Sequence, residues 1–287
     1  NMHNSPYSVN IACFCSKNFI KSLEELKSFF SFEFDQLEGD IESSINDKYS
    51  AVIIELAAKQ KISLNNINIP CAYEILDTIT PQYISDLISW GAIGARTTES
   101  QTHRQIASGL SFPIGFKNGT GGSIDIAADA MVSCNYSHCF MGITNDGKST
   151  ICKTRGNPNT HIILRGGKLG PNYYKESVAF TKTILLKKNV NIKMMIDCSH
   201  GNSGKNYKNQ FDVLRNIIEQ KIKYGSNIFG VMIESNINEG KQLLPENVSK
   251  LSTDKIIDEL TYGVSITDCC VSFEETEEMV NYVYDSL

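Results

Sequence analysis

From about residue 8 to the C-terminus, short apolar runs alternate with longer amphipathic stretches. The runs are Val9–Cys13, Cys71–Leu76, Ala92–Ala95, Pro113–Phe116, His138–Ile143, His161–Leu164, Lys193–Ile196 and Ile228–Ile233. Helical patterns lie between several of them, over Pro81–Trp90, Ile124–Val132, Tyr174–Lys187, Asn206–Tyr224 and Phe273–Leu287, with a further one over Asn46–Lys59. A strand-then-helix rhythm of this kind predicts a parallel sheet with helices outside it. The near-continuous apolar character of the runs predicts strands covered on both faces.

The polar residues that close these runs sharpen the picture. Glu74, Arg96, Lys117, Arg165, His200 and Glu234 each stand at or just after the end of an apolar run. In a (β/α)8 barrel the C-terminal ends of all strands meet at one mouth, where chemistry sits. An open doubly wound sheet would instead need a glycine-rich phosphate turn after its first strand. The residues after Cys15 contain none. The expectation is therefore an α/β chain folded as a (β/α)8 TIM barrel, one domain over residues 8–287 behind a tail of residues 1–7.

Bulk composition narrows the partners. Hydrophobic residues are 41%, charged residues 21%, and the net charge is -5. That balance argues against nucleic acid and against an anionic membrane surface. No apolar run approaches the roughly 18 residues of a membrane span, and no signal peptide is evident. Nine cysteines are scattered along the chain, unlike a small secreted disulfide framework, so a reduced, cytoplasmic setting is expected.

Two constellations carry candidate chemistry. Arg96, Lys117 and Arg165 each follow an apolar strand and sit among glycines or small residues. Converging at a mouth, they would hold a small polyanion through charge-assisted hydrogen bonds. His200, Glu234, Asp268 and a cysteine near the start form the second set. Imidazole, carboxylates and a thiolate suit a divalent Mn²⁺, Fe²⁺, Co²⁺ or Zn²⁺. The distances between these residues along the chain do not by themselves distinguish ligands from strand-end structural groups.

Long stretches also resemble a known family. They include Asp77–Tyr83, Ser89–Gln101, Gly115–Thr120, His161–Lys168, Pro171–Tyr173, Met195–Gly201, Gly230–Ser235 and Tyr262–Asp268. From Cys71 onward the sequence is similar to the type I 3-deoxy-7-phosphoheptulonate (DAHP) synthases. That resemblance implies a metal-dependent barrel enzyme of the shikimate pathway, in aromatic amino acid biosynthesis. Such enzymes condense phosphoenolpyruvate with erythrose 4-phosphate. It implies that Arg96 and Arg165 bind the phosphate of phosphoenolpyruvate and Lys117 its carboxylate side. Glu74 would stand near the reacting carbons. Cys15, His200, Glu234 and Asp268 would hold the metal, with Cys13 the alternative thiolate. A homodimer is among the implied assemblies.

One interval departs from the family pattern. Between Ser28 and Asp47 there is no Lys or Arg, and Glu33, Asp35, Glu38, Asp40, Glu42 and Asp47 stand there instead. The family places a cationic clamp for the acceptor phosphate in the second-strand region, which is shortened here. A carboxylate about 4 Å from a phosphate repels it by roughly 4 kcal/mol at an effective dielectric near 20. The expectation is an enzyme that keeps phosphoenolpyruvate and metal but takes another aldehyde. Two alternatives stand beside it. One is an ordinary DAHP synthase whose acceptor phosphate is held by Lys17, Lys21 or Arg155. The other is a non-catalytic relative that binds phosphoenolpyruvate.

Overall fold

The computed structural model describes residues 69–144, 146–246 and 258–287, residues 62, 64–66 and 255, and the backbone of 9–14. Nine strands are present among them. They are β1 (Val9–Phe14), β2 (Ala72–Glu74), β3 (Trp90–Ile93), β4 (Ile114–Lys117), β5 (Cys139–Ile143), β6 (Ser149–Lys153), β7 (Thr160–Leu164), β8 (Met194–Asp197) and β9 (Ile228–Ser235). Seven form one sheet in the order β1-β9-β8-β7-β4-β3-β2. The pairs from β2 to β9 are all parallel. The helices are α1 (Thr80–Ile84), α2 (Gln101–Ala107), α3 (Asp125–Cys134), α4 (Lys175–Lys187), α5 (Gln210–Tyr224) and α6 (Phe273–Ser286).

This is an α/β arrangement around a parallel, barrel-like sheet, with two departures from the expected pattern. The run expected as a strand at His138–Ile143 does not join the large sheet. As β5 it pairs antiparallel with β6, Phe140 opposite Cys152. Asp146-Gly147 provides the turn, with Gly147 at φ 76°, a conformation open to glycine at little cost. Second, β1 runs antiparallel to β9, with Val9 opposite Ser235 and Phe14 opposite Gly230. A closed barrel of eight parallel strands is thus not formed by the described residues, and the acidic interval lies outside them.

Alternation along the strands sorts side chains to two faces. Phe116, Ile162, Leu164, Met194, Ile196, Val231 and Ile233 point to the helix side, inside one large buried cluster. Ala92, Ile163, Met195 and Met232 point the other way and pack with Trp90 into a smaller one. Both faces are therefore buried, as the apolar runs predict.

The helices read plainly from their ends. In α5, Val213, Leu214, Ile217 and Ile218 form the buried stripe, and Gly225 at φ 57° stops the helix. In α6, Ser272 caps the first turn by accepting from the Glu275 amide. The capped α2, with Ser100 accepting from the His103 amide, has few apolar positions, so periodicity gave it no signal. No described helix is long and apolar enough to cross a membrane.

Candidate metal and anion site

The inner face of the sheet ends in charge. Two residues beyond Gly115, Met195 and Met232 on the same faces come Lys117, Asp197 and Glu234. On this face, apolar side chains thus give way to charged ones at or next to the last residue of each strand. Lys117 is 6% exposed, Glu234 4% and Asp197 0%. Such groups require partners, because an unpaired buried charge costs several kcal/mol.

They find them in one another. Asp197 Oδ2 lies 3.2 Å from Lys117 Nζ and 2.9 Å from His200 Nδ1. The other Asp197 oxygen accepts from the Ser199 amide at 2.9 Å. His200 follows β8 by three residues in a left-handed conformation, φ 51°. This turn brings its ring back over the strand end. His200 Nε2 then faces Glu234 Oε1 at 3.7 Å and Asp268 Oδ2 at 3.5 Å. Ligand atoms of His200, Glu234 and Asp268 all lie within 4.8 Å of one another.

The electrostatics favour a cation at this point. Burial pushes the Glu234 carboxyl up to about 7, with Asp197 adding to the rise and His200 opposing it. Burial also disfavours the His200 imidazolium, but Asp197 and Asp268 outweigh it and raise this group to about 9. Asp197 is held well below the usual carboxylate range. Burial opposes that shift, but Lys117 and His200 overcome it. Lys117 is raised against its own burial by Asp197, Glu74 and Glu234. One imidazole and two carboxylates, one of them buried, are a donor set that fits a divalent first-row ion.

Glu74 ends β2 with its carboxylate laid over Gly94, where any Cβ would overlap it. Arg96 is exposed three residues after β3, and Arg165 is half-buried immediately after β7. β4, which carries Lys117, pairs with both strands. The three cations thus follow the same ends of three adjacent strands, and Lys117 is linked through Asp197 to the His200–Glu234–Asp268 group. Cys15 lies outside the described residues. The backbone of β1 ends at Phe14 opposite Gly230, four residues before Glu234. Lys17 and Lys21 lie outside them as well. Arg155 follows β6, near the opposite end of β4. It is two residues from Asn157, whose amide side chain caps the carbonyls of Ala107 and Phe112 below β4.

Sequence reasoning missed the residues that hold these groups in place. Asp197 is one; its signal was a carboxylate three residues before a candidate ligand histidine. A buried asparagine set is another. Asn118 Oδ1 accepts from the Arg165 amide at 2.8 Å and from Asn172 Nδ2 at 3.1 Å, while its Nδ2 donates to the Gly166 carbonyl at 3.0 Å. Asn172 Oδ1 accepts from the Gly166 amide, and Asn202 Oδ1 from the Asn172 amide. Gln210 clasps Glu234, donating to its carbonyl at 3.0 Å and accepting from its amide at 2.9 Å. Thr98 Oγ1 bonds the carbonyls of Gly94 and Lys117, both at 2.9 Å. These amides and hydroxyls tie β3, β4, β7, β8 and β9 together at the end where the charges gather.

Comparison with known proteins shows the family. The chain is 51% identical over 228 residues to the tyrosine-inhibited phospho-2-dehydro-3-deoxyheptonate aldolase of Schizosaccharomyces pombe, covering 79% of the chain and 60% of that protein. It is 46% identical over 235 residues to the Tyr-sensitive phospho-2-dehydro-3-deoxyheptonate aldolase of Escherichia coli, covering 82% and 63%. The chain thus spans less than two thirds of the length of these relatives. Among solved structures, a phospho-2-dehydro-3-deoxyheptonate aldolase from Francisella tularensis superposes with a TM-score of 0.75 at 48% identity, covering 84% of this chain and 67% of that one. The family model described as the DAHP synthetase I family matches residues 35–281, and the chain belongs to that family.

Proposed function

We propose that the chain condenses phosphoenolpyruvate with erythrose 4-phosphate, C3 of phosphoenolpyruvate bonding to the acceptor carbonyl carbon and one water adding at C2, to give 3-deoxy-7-phosphoheptulonate and inorganic phosphate. The observation that carries this reading is the His200–Glu234–Asp268 group joined through Asp197 to Lys117, at the strand ends that also bear Arg96 and Arg165. An anion site and a cation site side by side are what this condensation needs. A protein that only binds phosphoenolpyruvate has no use for both. The relatives' names favour this ordinary acceptor over a different aldehyde. The acidic interval that suggested otherwise lies outside the described residues.

In this reading Arg96 and Arg165 hold the phosphate of phosphoenolpyruvate and Lys117 its carboxylate. Their charge also steadies the phosphate as it leaves C2. Glu74 stands beside Lys117 near the reacting carbons. His200, Glu234 and Asp268 hold a divalent ion, which supplies Lewis acidity toward the acceptor carbonyl. Cys15 is the proposed fourth ligand on the family motif alone, since it needs a strand direction opposite to that of β1. The reading includes a closed (β/α)8 barrel, a homodimer and a cytoplasmic setting.

The test is phosphate release from phosphoenolpyruvate with Mn²⁺ and a panel of aldehydes. Release with erythrose 4-phosphate is expected. Release with another aldehyde and none with erythrose 4-phosphate would restore the altered acceptor. No release with any acceptor would overturn the enzymatic reading.

A further inference from the structure

We propose that Asp197 is a positioning residue that couples the metal half of the site to the anion half through one carboxylate oxygen. The inference rests on the function proposed above and adds a part to it.

Asp197 is fully buried at the last position of β8. Its carboxylate is fixed before it meets either partner. Oδ1 is taken by the Ser199 amide, and the backbone carbonyl accepts from Asn202 Nδ2 at 2.8 Å. The remaining oxygen, Oδ2, faces two groups from two different elements. His200 Nδ1 lies at 2.9 Å, and Lys117 Nζ, from β4, at 3.2 Å.

On the histidine side, the Asp197 oxygen 2.9 Å from Nδ1, near enough to act by charge though not in line for a hydrogen bond, favours a proton on that nitrogen. It leaves the lone pair of the neutral ring on Nε2, which faces Glu234 and Asp268. The left-handed backbone at His200 needs such a hold, because a side chain there is not fixed by a regular helix or strand. On the lysine side, the same oxygen sets where a long, flexible ammonium points inside a buried space. Asp197 touches neither substrate nor metal in this arrangement. It acts through the two residues that would.

The test is Asp197→Asn in the full chain, which keeps the shape and removes the charge. Mn²⁺ affinity, read by electron paramagnetic resonance, is expected to fall 10–100-fold. The KM for phosphoenolpyruvate is expected to rise at least fivefold, with circular dichroism unchanged. Mn²⁺ affinity within threefold of wild type overturns the histidine half. Phosphoenolpyruvate bound as well as or better than by wild type overturns the lysine half. A second measurement needs no variant, so poor folding of Asp197→Asn does not protect the proposal. In wild-type chain labelled with ¹⁵N-histidine and loaded with Zn²⁺, His200 is expected to carry its proton on Nδ1. A proton on Nε2 overturns the proposal. Wild-type chain that binds Mn²⁺ in an Asp197-dependent way, yet releases no phosphate, would support this coupling while overturning the proposed function.

Discussion

Two histidines, one buried and one partly buried, one near each end of neighbouring strands, are driven in opposite directions. His161 is the second residue of β7, at the end away from the site. Its Nε2 accepts from Trp90 Nε1–H at 3.2 Å, and its ring stacks on Trp90 and meets Phe229 edge-on. Burial, helped by Lys193, pushes it down to about 3, so it is a neutral core residue. His200, past the end of β8, is raised to about 9 by Asp197 and Asp268 against its own burial. Burial disfavours the charged form at both, and the neighbours decide the sign. One end of the sheet is closed by aromatic packing, the other by compensated charge.

The strongest way to break this contrast is His200→Ala. Mn²⁺ binding, followed by electron paramagnetic resonance, should fall at least about 100-fold, and phosphate release should drop below about one-thousandth of wild type. Unchanged turnover would remove the metal assignment. Lys117→Met strips the charged end of its buried ammonium and leaves Asp197 with His200 alone. Phosphoenolpyruvate affinity, measured by calorimetry, should fall at least about tenfold, with a stability loss of about 2–3 kcal/mol in urea. Asn118→Ala keeps the charges and removes their brace. It leaves the Arg165 amide and the Gly166 carbonyl without that partner, which should cost about 2–4 kcal/mol in urea unfolding.

The mildest test is at the aromatic end. The folded-state pKa of His161 lies below its unfolded value of 6.5. Its contribution is therefore present above pH 6.5 and lost as pH falls toward 3. Between pH 7 and pH 5 this group should remove about 2 kcal/mol of stability. His161→Gln keeps an acceptor for Trp90 and cannot titrate, so urea unfolding should show that part of the loss gone. An identical pH dependence in both proteins would mean that His161 is not the group responsible.

Much of this was legible from local pattern. The ends of the runs placed Lys117, Arg165, His200 and Glu234 at one rim, because parallel strands share a direction and period-2 alternation sorts their faces. The long periodic helices α4, α5 and α6 were legible for the same kind of reason. What escaped depended on contacts. The run at His138–Ile143 looked like its neighbours, yet β5 is half-exposed where β7 is wholly buried. Its hairpin needed the Asp146-Gly147 turn to be weighed above the apolar count. Trp90, read as the end of a helix, opens β3 instead, because its indole is needed against His161. Asp197 sat inside a recognised motif without a role, since only the turn at His200 shows what its second oxygen is for.

The glycines along the rim carry a consequence of their own. A Cβ on Gly166 would stand 2.5 Å from the Gly201 carbonyl carbon, and one on Gly167 would stand 2.5 Å from the Gly122 Cα. The loops that leave β4, β7 and β8 therefore touch main chain to main chain. They are the loops that follow Lys117, contain Arg165 and contain His200. Adding a single methyl on this seam would pry all three apart at once. Attempts to change what this rim binds should leave the seam intact and work on the outward-facing side chains around it.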